Sequence, residues 1–335
     1  MRFCILGAGG LGSVIGGYLA QAGEDVTFVG RPAHMQAIRE HGLRISGVRG
    51  DHHVTQNMTA VTAPDQAEGE FDYLILLVKG KDTETALAQA EVLRPRVKAM
   101  LSLQNGIGKE ERLRQWIGRD RVIGASTIEG GTLLGPGEAA NPITTPITAY
   151  FGELDGGVTP RIEAITEAFD RAGLGARSVD DIMQVLWEKL VLIGSASGYS
   201  ASVLGLRLYL QDGWVTRSGA EQFVALVKEM LAIYKALGYQ PQNFYAPMSR
   251  FKEIDPLDFE DAVDYTMQMG EFLKQQFGDR RGRTSLHEDL VRGRKTEVDT
   301  IIKPFVDKAA ELGIEAPTVL STYRIIKTQD EYLEP

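Results

Sequence analysis

The segment RFCILGAGGLGSVIGGYLAQAG at 2–23 is the feature that most constrains how this chain can fold. An apolar run precedes the pattern G-x-G-x-x-G, formed by Gly7, Gly9 and Gly12, and a stretch with helical periodicity follows it. Gly7 would permit a tight turn, Gly9 would let a diphosphate approach the backbone, and Gly12 would let helix and strand pack closely. Free N–H groups at the helix N-terminus favour negative charge there. The segment therefore predicts a dinucleotide-binding strand–helix unit, with a flexible turn before a helix as the simpler alternative.

The rest of the first half continues this alternation of short apolar runs and helical stretches. Continuous apolar runs separated by crossover helices are typical of buried parallel strands. Between 121 and 153 the pattern changes to short β runs with turn signals, which predict antiparallel or hairpin strands that extend the sheet. A helix beginning with proline follows at 160–172. We expect strands at 2–6, 25–29, 73–78 and 99–103, and helices at 11–22 and 83–92.

Strand signals almost vanish after Asp181. Amphipathic helical periodicity dominates from there to the end of the chain. The predicted fold class is therefore an α/β N-terminal Rossmann-like doubly wound sheet plus an all-α C-terminal domain, divided as 1–180 and 181–335, with the active site in the cleft between them. The helices are expected at 184–204, 215–237, 259–277, 286–291 and 297–312.

Composition excludes several classes of protein. No apolar run approaches the 18 to 20 or so residues that a membrane span needs, and Cys4 is the only cysteine, which rules out an internal disulfide. The formal net charge of −9 argues against general nucleic-acid binding. We expect a soluble cytoplasmic protein with neither a membrane nor a nucleic acid as partner.

Metal, serine-nucleophile and thiol chemistry are also disfavoured. None of the five histidines accompanies a cluster with metal-ligand spacing, and His52-His53 is expected in a polar loop. The chain has no G-x-S-x-G motif, and Cys4 falls within the first predicted strand.

The residue after the second predicted strand favours NADP(H) over NAD(H). An NAD site usually has Asp or Glu there to bind the ribose hydroxyls, whereas this chain has Val29-Gly30-Arg31-Pro32. An arginine suits a 2′-phosphate, and Lys79, after the run DYLILLV, could add a second positive charge. The alternative for both is a solvated loop cation.

Lys189 is the candidate proton donor. Together with Glu188 it supplies the only charges of the apolar helical run VLWEKLVLIGSASGYSA. Burying an unpaired ammonium is costly, so this lysine either reaches solvent or faces a polar cleft. In a cleft it could protonate a carbonyl oxygen as hydride arrives.

The ordered set of motifs resembles the ketopantoate reductase (2-dehydropantoate 2-reductase) family over nearly the whole chain. The glycine loop alone would not distinguish this family from other Rossmann enzymes. The resemblance rests on G-A-G-G-L-G, Arg31, Lys79, SLQNGIG, W-E-K-L at 187–190 and TSLHEDLVRGRKTEVD.

The resemblance implies NADPH-dependent reduction of a 2-oxo acid to a 2-hydroxy acid, by default ketopantoate to (R)-pantoate. Lys189 would be the general acid, Glu297 would bind the substrate and help hold the lysine charge, and Asn105 would position the lysine and the nicotinamide ribose. Ser285 would contact the substrate carboxylate. Simpler interpretations are a turn at Asn105-Gly106, a capping box at Ser285 and a surface acid at Glu297. The implied cofactor loop comprises Gly7, Ala8, Gly9, Gly10, Leu11 and Gly12.

The chain departs from the family pattern where the substrate is expected to bind. The family usually has Lys-x-x-x-Asn-x-x-x-Asn, whereas this chain has Lys189, Ile193 and Ser197, and Gly282 stands where another Asn is frequent. Each lost hydrogen bond is worth about 0.5 to 1.5 kcal/mol. We therefore expect the chemistry to be retained and the substrate to be more apolar or less hydroxylated than ketopantoate.

Two other functions stay open. One is a related hydroxyacid or alcohol dehydrogenase that works oxidatively, and the other is a non-catalytic NADP-binding sensor. A sensor would have no reason to keep both Lys189 and Glu297. By resemblance we also expect a homodimer formed through the helical half.

Overall fold

The computed structural model describes residues 1–205, 208–277 and 283–333. The chain divides into two compact units. The first unit comprises Met1–Gln104 and Gly108–Leu186, and the second comprises the short segment Asn105–Ile107 together with the chain from Trp187 onward. Within the described ranges, no helix has the length and apolar character needed to span a bilayer.

The first unit contains twelve short strands and five α-helices, followed by the start of a sixth α-helix. The strands are β1 (Arg2–Leu6), β2 (Asp25–Val29), β3 (Leu43–Gly47), β4 (His52–Val54), β5 (Met58–Val61), β6 (Phe71–Leu76), β7 (Val97–Ser102), β8 (Gly124–Thr127), β9 (Thr132–Gly135), β10 (Glu138–Asn141), β11 (Ala149–Gly152) and β12 (Ala176–Ser178). The helices are α1 (Gly10–Gln21), α2 (Pro32–His41), α3 (Thr83–Gln89), α4 (Lys109–Ile117) and α5 (Pro160–Arg171).

Five parallel strands form the central sheet in the order β5-β2-β1-β6-β7. Alternate residues of β1 enter opposite cores, since Phe3 and Ile5 pack on one face and Cys4 and Leu6 on the other. Helices α1, α2 and α5 contribute buried residues to the first core, and α3 and α4 contribute to the second. Helices therefore cover both faces, which confirms the predicted doubly wound, Rossmann-like arrangement.

The strands between 121 and 153 do not simply extend this sheet, so that prediction was wrong in detail. The antiparallel hairpin β9–β10 joins β3 and β4 in a separate sheet with the order β4-β3-β10-β9. Strands β8 and β11 pair antiparallel in a third sheet with β12, and one isolated parallel bridge joins Met100 to Val122. Strand β3, which alternates buried and exposed positions, supplies the edge that β10 extends.

The expected polar loop at His52-His53 was also wrong. Both residues lie in β4, paired antiparallel with Ile45 and Arg44 of β3. The imidazole of His52 lies edge-on to Tyr18 of α1 with 5.3 Å between ring centroids, so a histidine here packs like an aromatic strand residue.

The described part of the second unit is helical, as predicted. One helix was predicted at 297–312, whereas the structure has two, with Pro304 in the first turn of the second. The break lies there because a proline ring in the interior of a helix removes a backbone hydrogen bond. The helices are α6 (Ile182–Val203), α7 (Leu210–Trp214), α8 (Arg217–Ala236), α9 (Phe251–Ile254), α10 (Phe259–Phe277), α11 (Ser285–Val291), α12 (Val298–Ile301), α13 (Lys303–Leu312) and α14 (Pro317–Tyr332).

Candidate active site

The glycine loop between β1 and α1 leaves open space next to a helix N-terminus. Gly7 has φ +111°, and a Cβ there would lie 2.5 Å from the backbone N of Val78. A Cβ on Gly12 would lie 2.4 Å from the carbonyl oxygen of Gly7, whereas one on Gly9 would meet no atom within 4 Å. Gly9 is the N-cap of α1, and the first turn of α1 contains no acidic residue. The open space at Gly9 therefore lies next to the N-terminus of α1, the end of a helix that favours an anion.

Two cations flank the loop at the same edge of the central sheet. Arg31 is the N-cap of α2, two residues after β2, and Lys79 lies three residues after β6. Because β2 and β6 are the parallel neighbours of β1, their carboxyl ends lie on either side of the glycine loop. Both side chains are exposed, and neither has an ion-pair partner among the residues that the structure describes.

In the second unit, the side chains of Lys189 and Asn105 form a direct hydrogen bond. The Nζ of Lys189 donates to Oδ1 of Asn105 at 3.0 Å. Lys189 lies in α6 and is 5% exposed, and Asn105 is half-buried. Asn105 is therefore an uncharged polar partner of the buried ammonium.

The turn that carries Asn105 packs against the segment that carries Glu297. Gly106 has φ +89°, and a Cβ there would lie 2.9 Å from the carbonyl oxygen of Thr300. The backbone N–H of Thr300 in turn donates to the carbonyl of Glu297 at 3.0 Å. Glu297 is the half-buried N-cap residue of α12, and its side chain makes no capping hydrogen bond. The Asn105 turn and the Glu297 segment are therefore neighbours in the second unit.

The other candidate substrate residues have different environments. Ile193, one helical turn after Lys189, is half-buried, and Ser197, one turn further on, is 4% exposed. Ser285 is exposed at the first position of α11, and Thr284 precedes it as the N-cap. The capping box considered at Ser285 therefore does not form. No hydrogen bond in the described part of the chain joins Ser285 to Lys189, and Gly282 lies outside the described residues.

Glu188 is a buried carboxylate whose role sequence reasoning missed. It is 1% exposed and accepts hydrogen bonds from the backbone N–H groups of Gln242, at 2.7 Å, and Phe244, at 2.9 Å. The hydroxyl of Tyr234 donates to it at 3.3 Å. Burial raises the pKa of Glu188, opposed by these hydrogen bonds. Its only sequence signal was an acid within an apolar helix, and it anchors the 242–244 segment to the helix that carries Lys189.

His34 is a second residue whose role the sequence did not show. It is 3% exposed, its Nδ1 accepts from the backbone N–H of Gly137 at 2.9 Å, and its Nε2 lies 2.8 Å from Oγ of Ser13. Because Nδ1 is an acceptor, we assign the proton to Nε2, which then donates to the serine. His34 thus links α2, the β9–β10 turn and the helix of the glycine loop. Burial lowers the pKa of its imidazole.

We expect the contribution of His34 to stability to decrease as the pH falls. Its folded-state pKa lies below the unfolded value, so the unfolded chain binds more protons between the two values and stability is lost as pH falls from about 6.5. At pH 7.5, His34→Leu should lower the free energy of unfolding by about 1 to 3 kcal/mol, because Gly137 and Ser13 lose their partner. The difference in the free energy of unfolding between the wild type and His34→Leu should be smaller at pH 5. Urea unfolding of the two proteins at pH 7.5 and pH 5 would measure it.

His41, in the same helix with its side chain 75% exposed, provides the control. His41→Leu should change the free energy of unfolding by less than about 0.5 kcal/mol at either pH. A His34→Leu deficit of equal size at both pH values would contradict the assignment of a buried neutral imidazole.

The described residues contain no group of three or more His, Cys, Asp or Glu side chains arranged to bind a metal ion. Cys4 is buried in β1, and burial raises the pKa of its thiol to about 12. At neutral pH this cysteine is therefore a protonated core side chain.

Comparison with known proteins identifies relatives along the whole chain. The 2-dehydropantoate 2-reductase of Pyrococcus horikoshii is 29% identical over 333 residues, which covers 98% of this chain and 98% of that protein. The crystal structure of 2-dehydropantoate 2-reductase from Geobacter metallireducens GS-15 is 26% identical, with a TM-score of 0.77 and coverage of 98% of this chain and 99% of that one. A ternary structure of D-mandelate dehydrogenase with NADH and anilino(oxo)acetate, 20% identical over 99% of both chains, shares the fold with a TM-score of 0.75.

Two family models match consecutive parts of the chain. The model described as "Ketopantoate reductase PanE/ApbA" matches residues 3–156, and "Ketopantoate reductase PanE/ApbA C terminal" matches residues 181–330. Together they cover most of the sequence and confirm the resemblance inferred from the motifs. The chain therefore belongs to the ketopantoate reductase PanE/ApbA family, and with it to the NADP-dependent oxidoreductases that act on CH–OH groups.

Proposed function

We propose that the protein reduces a 2-oxo acid to the 2-hydroxy acid, with ketopantoate to (R)-pantoate as the default reaction. NADPH, held by the glycine loop of the first unit, would supply the hydride for the carbonyl carbon. Lys189 donates a proton from Nζ to the carbonyl oxygen, so that the C=O bond becomes CH–OH and the lysine is left neutral until it is reprotonated. The name of the Pyrococcus horikoshii relative supports the default substrate.

The observation that carries the proposal is the hydrogen bond from buried Lys189 to Asn105. An ammonium has three N–H donors, and an amide oxygen that accepts from one of them fixes the direction of the others. Because Asn105 is uncharged, it orients the ammonium without neutralising it. In the proposed complex a second N–H points to the substrate carbonyl, Glu297 binds the substrate and helps to hold the lysine charge, and Ser285 contacts the substrate carboxylate.

The first unit is proposed to bind the cofactor through its loop and the two flanking cations. The loop residues 7–12 would surround the diphosphate at the N-terminus of α1. Arg31 and Lys79 would contact the 2′-phosphate, since both are exposed at the edge of the sheet where the loop lies. Asn105 would also contact the nicotinamide ribose.

A second candidate is a related hydroxyacid dehydrogenase that acts on a more apolar substrate. Ile193 favours it, because an apolar, half-buried side chain lies one helical turn from Lys189 where the family usually has Asn. The homodimer, the cytoplasmic location and the domain limits 1–180 and 181–335 stay predictions.

The decisive experiment follows the consumption of NADPH and of NADH with a panel of 2-oxo acids that includes ketopantoate. We expect consumption of NADPH with at least one member, and a slower reaction with NADH. No consumption of either cofactor with any member, in a protein that binds NADPH, would support the NADP-binding sensor. Reduction of ketopantoate in preference to every apolar 2-oxo acid would exclude the second candidate.

Arg31→Ala should selectively impair the use of NADPH. Charge-assisted hydrogen bonds are worth about 1.5 to 3 kcal/mol, so the KM for NADPH should rise by about ten- to a hundredfold. The KM for NADH should stay within about twofold, because NADH has no 2′-phosphate for Arg31 to bind. Initial rates with each cofactor measure the two constants.

Arg44→Ala is the matched control, since Arg44 is also an exposed arginine of the first unit but lies in β3. This variant should leave both constants unchanged. An equal loss of NADPH and NADH use in Arg31→Ala would contradict the assignment of Arg31 to the 2′-phosphate.

A further inference from the structure

A turn between β8 and β9 lies against the first turn of α1. Residues 129–131 form this segment, the Glu129 turn. A Cβ on Gly10 would lie 2.4 Å from the carbonyl oxygen of Gly131, and a Cβ on Gly131 would lie 2.4 Å from the backbone N and Cα of Leu11. The two backbones approach so closely that only glycine fits on either side. The turn therefore borders the N–H groups proposed to bind the cofactor diphosphate.

A buried carboxylate holds this turn in place. The side chain of Glu129 is 1% exposed and accepts from Nδ2 of Asn141 at 2.6 Å and from Nη2 of Arg49 at 2.9 Å. The backbone N–H of Glu129 donates to Oγ1 of Thr127 at 3.0 Å. Nδ2 of Asn141, which is fully buried, also donates to the carbonyl of Gly130 at 2.9 Å. The turn is thus fixed through its backbone and through its acidic side chain.

Arg49 balances the charge of Glu129 and connects the cluster to α1. Its Nη2 also donates to Oγ1 of Thr144 at 2.6 Å. Its guanidinium carbon lies 5.9 Å from the centre of the Tyr18 ring, and Tyr18 belongs to α1. Removing Arg49 would leave the buried carboxylate of Glu129 without its counter-charge, and removing Glu129 would leave the partly buried guanidinium of Arg49 unpaired, both of which are unfavourable. The position of the Glu129 turn therefore depends on the pair as a unit.

We propose that Glu129, Arg49 and Asn141 are positioning residues that hold the Glu129 turn as a wall beside the diphosphate site. The proposal rests on the proposed binding of NADPH at the N-terminus of α1. None of the three touches a reacting atom, so they act on cofactor affinity and leave the chemical step unchanged. If the turn occupies the binding-competent position only part of the time, the apparent Kd rises by the inverse of that fraction.

The test is a fluorescence titration of NADPH into the purified wild-type protein and its variants. Glu129→Gln removes the charge while keeping the size of the side chain, and it should raise the Kd for NADPH about tenfold if the turn is correctly placed one tenth of the time. The kcat at saturating NADPH should stay within about twofold of the wild type. Glu138→Gln, at an exposed position of β10, is the matched control and should bind NADPH like the wild type.

Two further measurements separate positioning from a general loss of structure. Adenosine 2′-phosphate lacks the diphosphate, so its Kd should be the same for Glu129→Gln and the wild type. The double variant Glu129→Gln/Arg49→Gln removes the uncompensated guanidinium and should bind NADPH more tightly than Glu129→Gln. Asn141→Ser, which keeps the ion pair but removes the contact with Gly130, should also weaken NADPH binding and provides the test if Glu129→Gln does not fold.

The outcomes distinguish this inference from the proposed function. A wild-type protein that does not bind NADPH would overturn both. Wild-type binding of NADPH with an unchanged Kd in folded Glu129→Gln would overturn only the positioning role. Equal weakening of NADPH and adenosine 2′-phosphate, or a double variant no better than the single one, would show that the cluster serves overall stability instead.

Discussion

Lys189→Ala is expected to lower kcat by about a hundred- to ten thousandfold, the range over which a positioned general acid contributes to catalysis. The alanine variant leaves the oxygen of the reduced carbonyl without a proton donor, and it leaves Oδ1 of Asn105 without the 3.0 Å contact to Nζ. NADPH binding should change by less than about twofold, because the loop proposed to bind the diphosphate lies in the other unit and Asn105, the proposed ribose contact, is retained. Single-turnover oxidation of bound NADPH by a 2-oxo acid would measure the chemical step directly.

Lys228 provides the control for the loss of a partly buried lysine from the same unit. Its Nζ donates to the backbone carbonyls of Ile254, Asp255 and Leu257, at 2.9, 3.1 and 2.5 Å. These contacts have a structural role, so Lys228→Ala should lower the free energy of unfolding while kcat stays within about threefold of the wild type. A Lys189→Ala variant as active as the wild type, or an equal loss of kcat in both variants, would remove Lys189 as proton donor.

The architecture of the first unit could be predicted where strands are buried on both faces. In residues 3–6 of β1 and 73–76 of β6, neighbouring side chains enter opposite cores, so each of these segments reads as a continuous apolar run. Strands β3 and β4 carry exposed and polar residues, including His52 and His53, and therefore resemble loop sequence. Helix α2 was missed for a similar reason, since only His34, Met35 and Ile38 of its ten residues are buried.

Sequence motifs predicted the residues of the candidate site that belong to those motifs, but not the contacts between them. The resemblance pointed to both Lys189 and Asn105, but their hydrogen bond joins positions 84 residues apart, which only the folded chain brings together. Glu188, His34 and Glu129 could not be found in this way, because acids and histidines in a sequence look alike whether solvated or buried. Their roles follow from burial and from their partners, which are tertiary properties.

Ile193→Asn is expected to shift substrate preference toward ketopantoate. Ile193 lies four residues after Lys189 in α6, so both side chains lie on the same side of the helix about 6 Å apart along its axis. Ketopantoate carries a hydroxyl at C4 that 3,3-dimethyl-2-oxobutanoate lacks, and the two compounds otherwise match. A hydroxyl placed against an apolar side chain loses its water without gaining a partner, which costs about 1 to 3 kcal/mol. If the second candidate function holds, the wild type should therefore prefer the compound without the hydroxyl.

An asparagine at 193 offers both a donor and an acceptor to that hydroxyl. The ratio of kcat/KM for ketopantoate to that for 3,3-dimethyl-2-oxobutanoate should rise by about ten- to a hundredfold, corresponding to about 1.4 to 2.8 kcal/mol. Ile193→Leu, which stays apolar at nearly constant volume, should leave the ratio within about twofold. A wild type that already prefers ketopantoate, or an asparagine variant with an unchanged ratio, would show that Ile193 does not contact the part of the substrate that distinguishes the two acids.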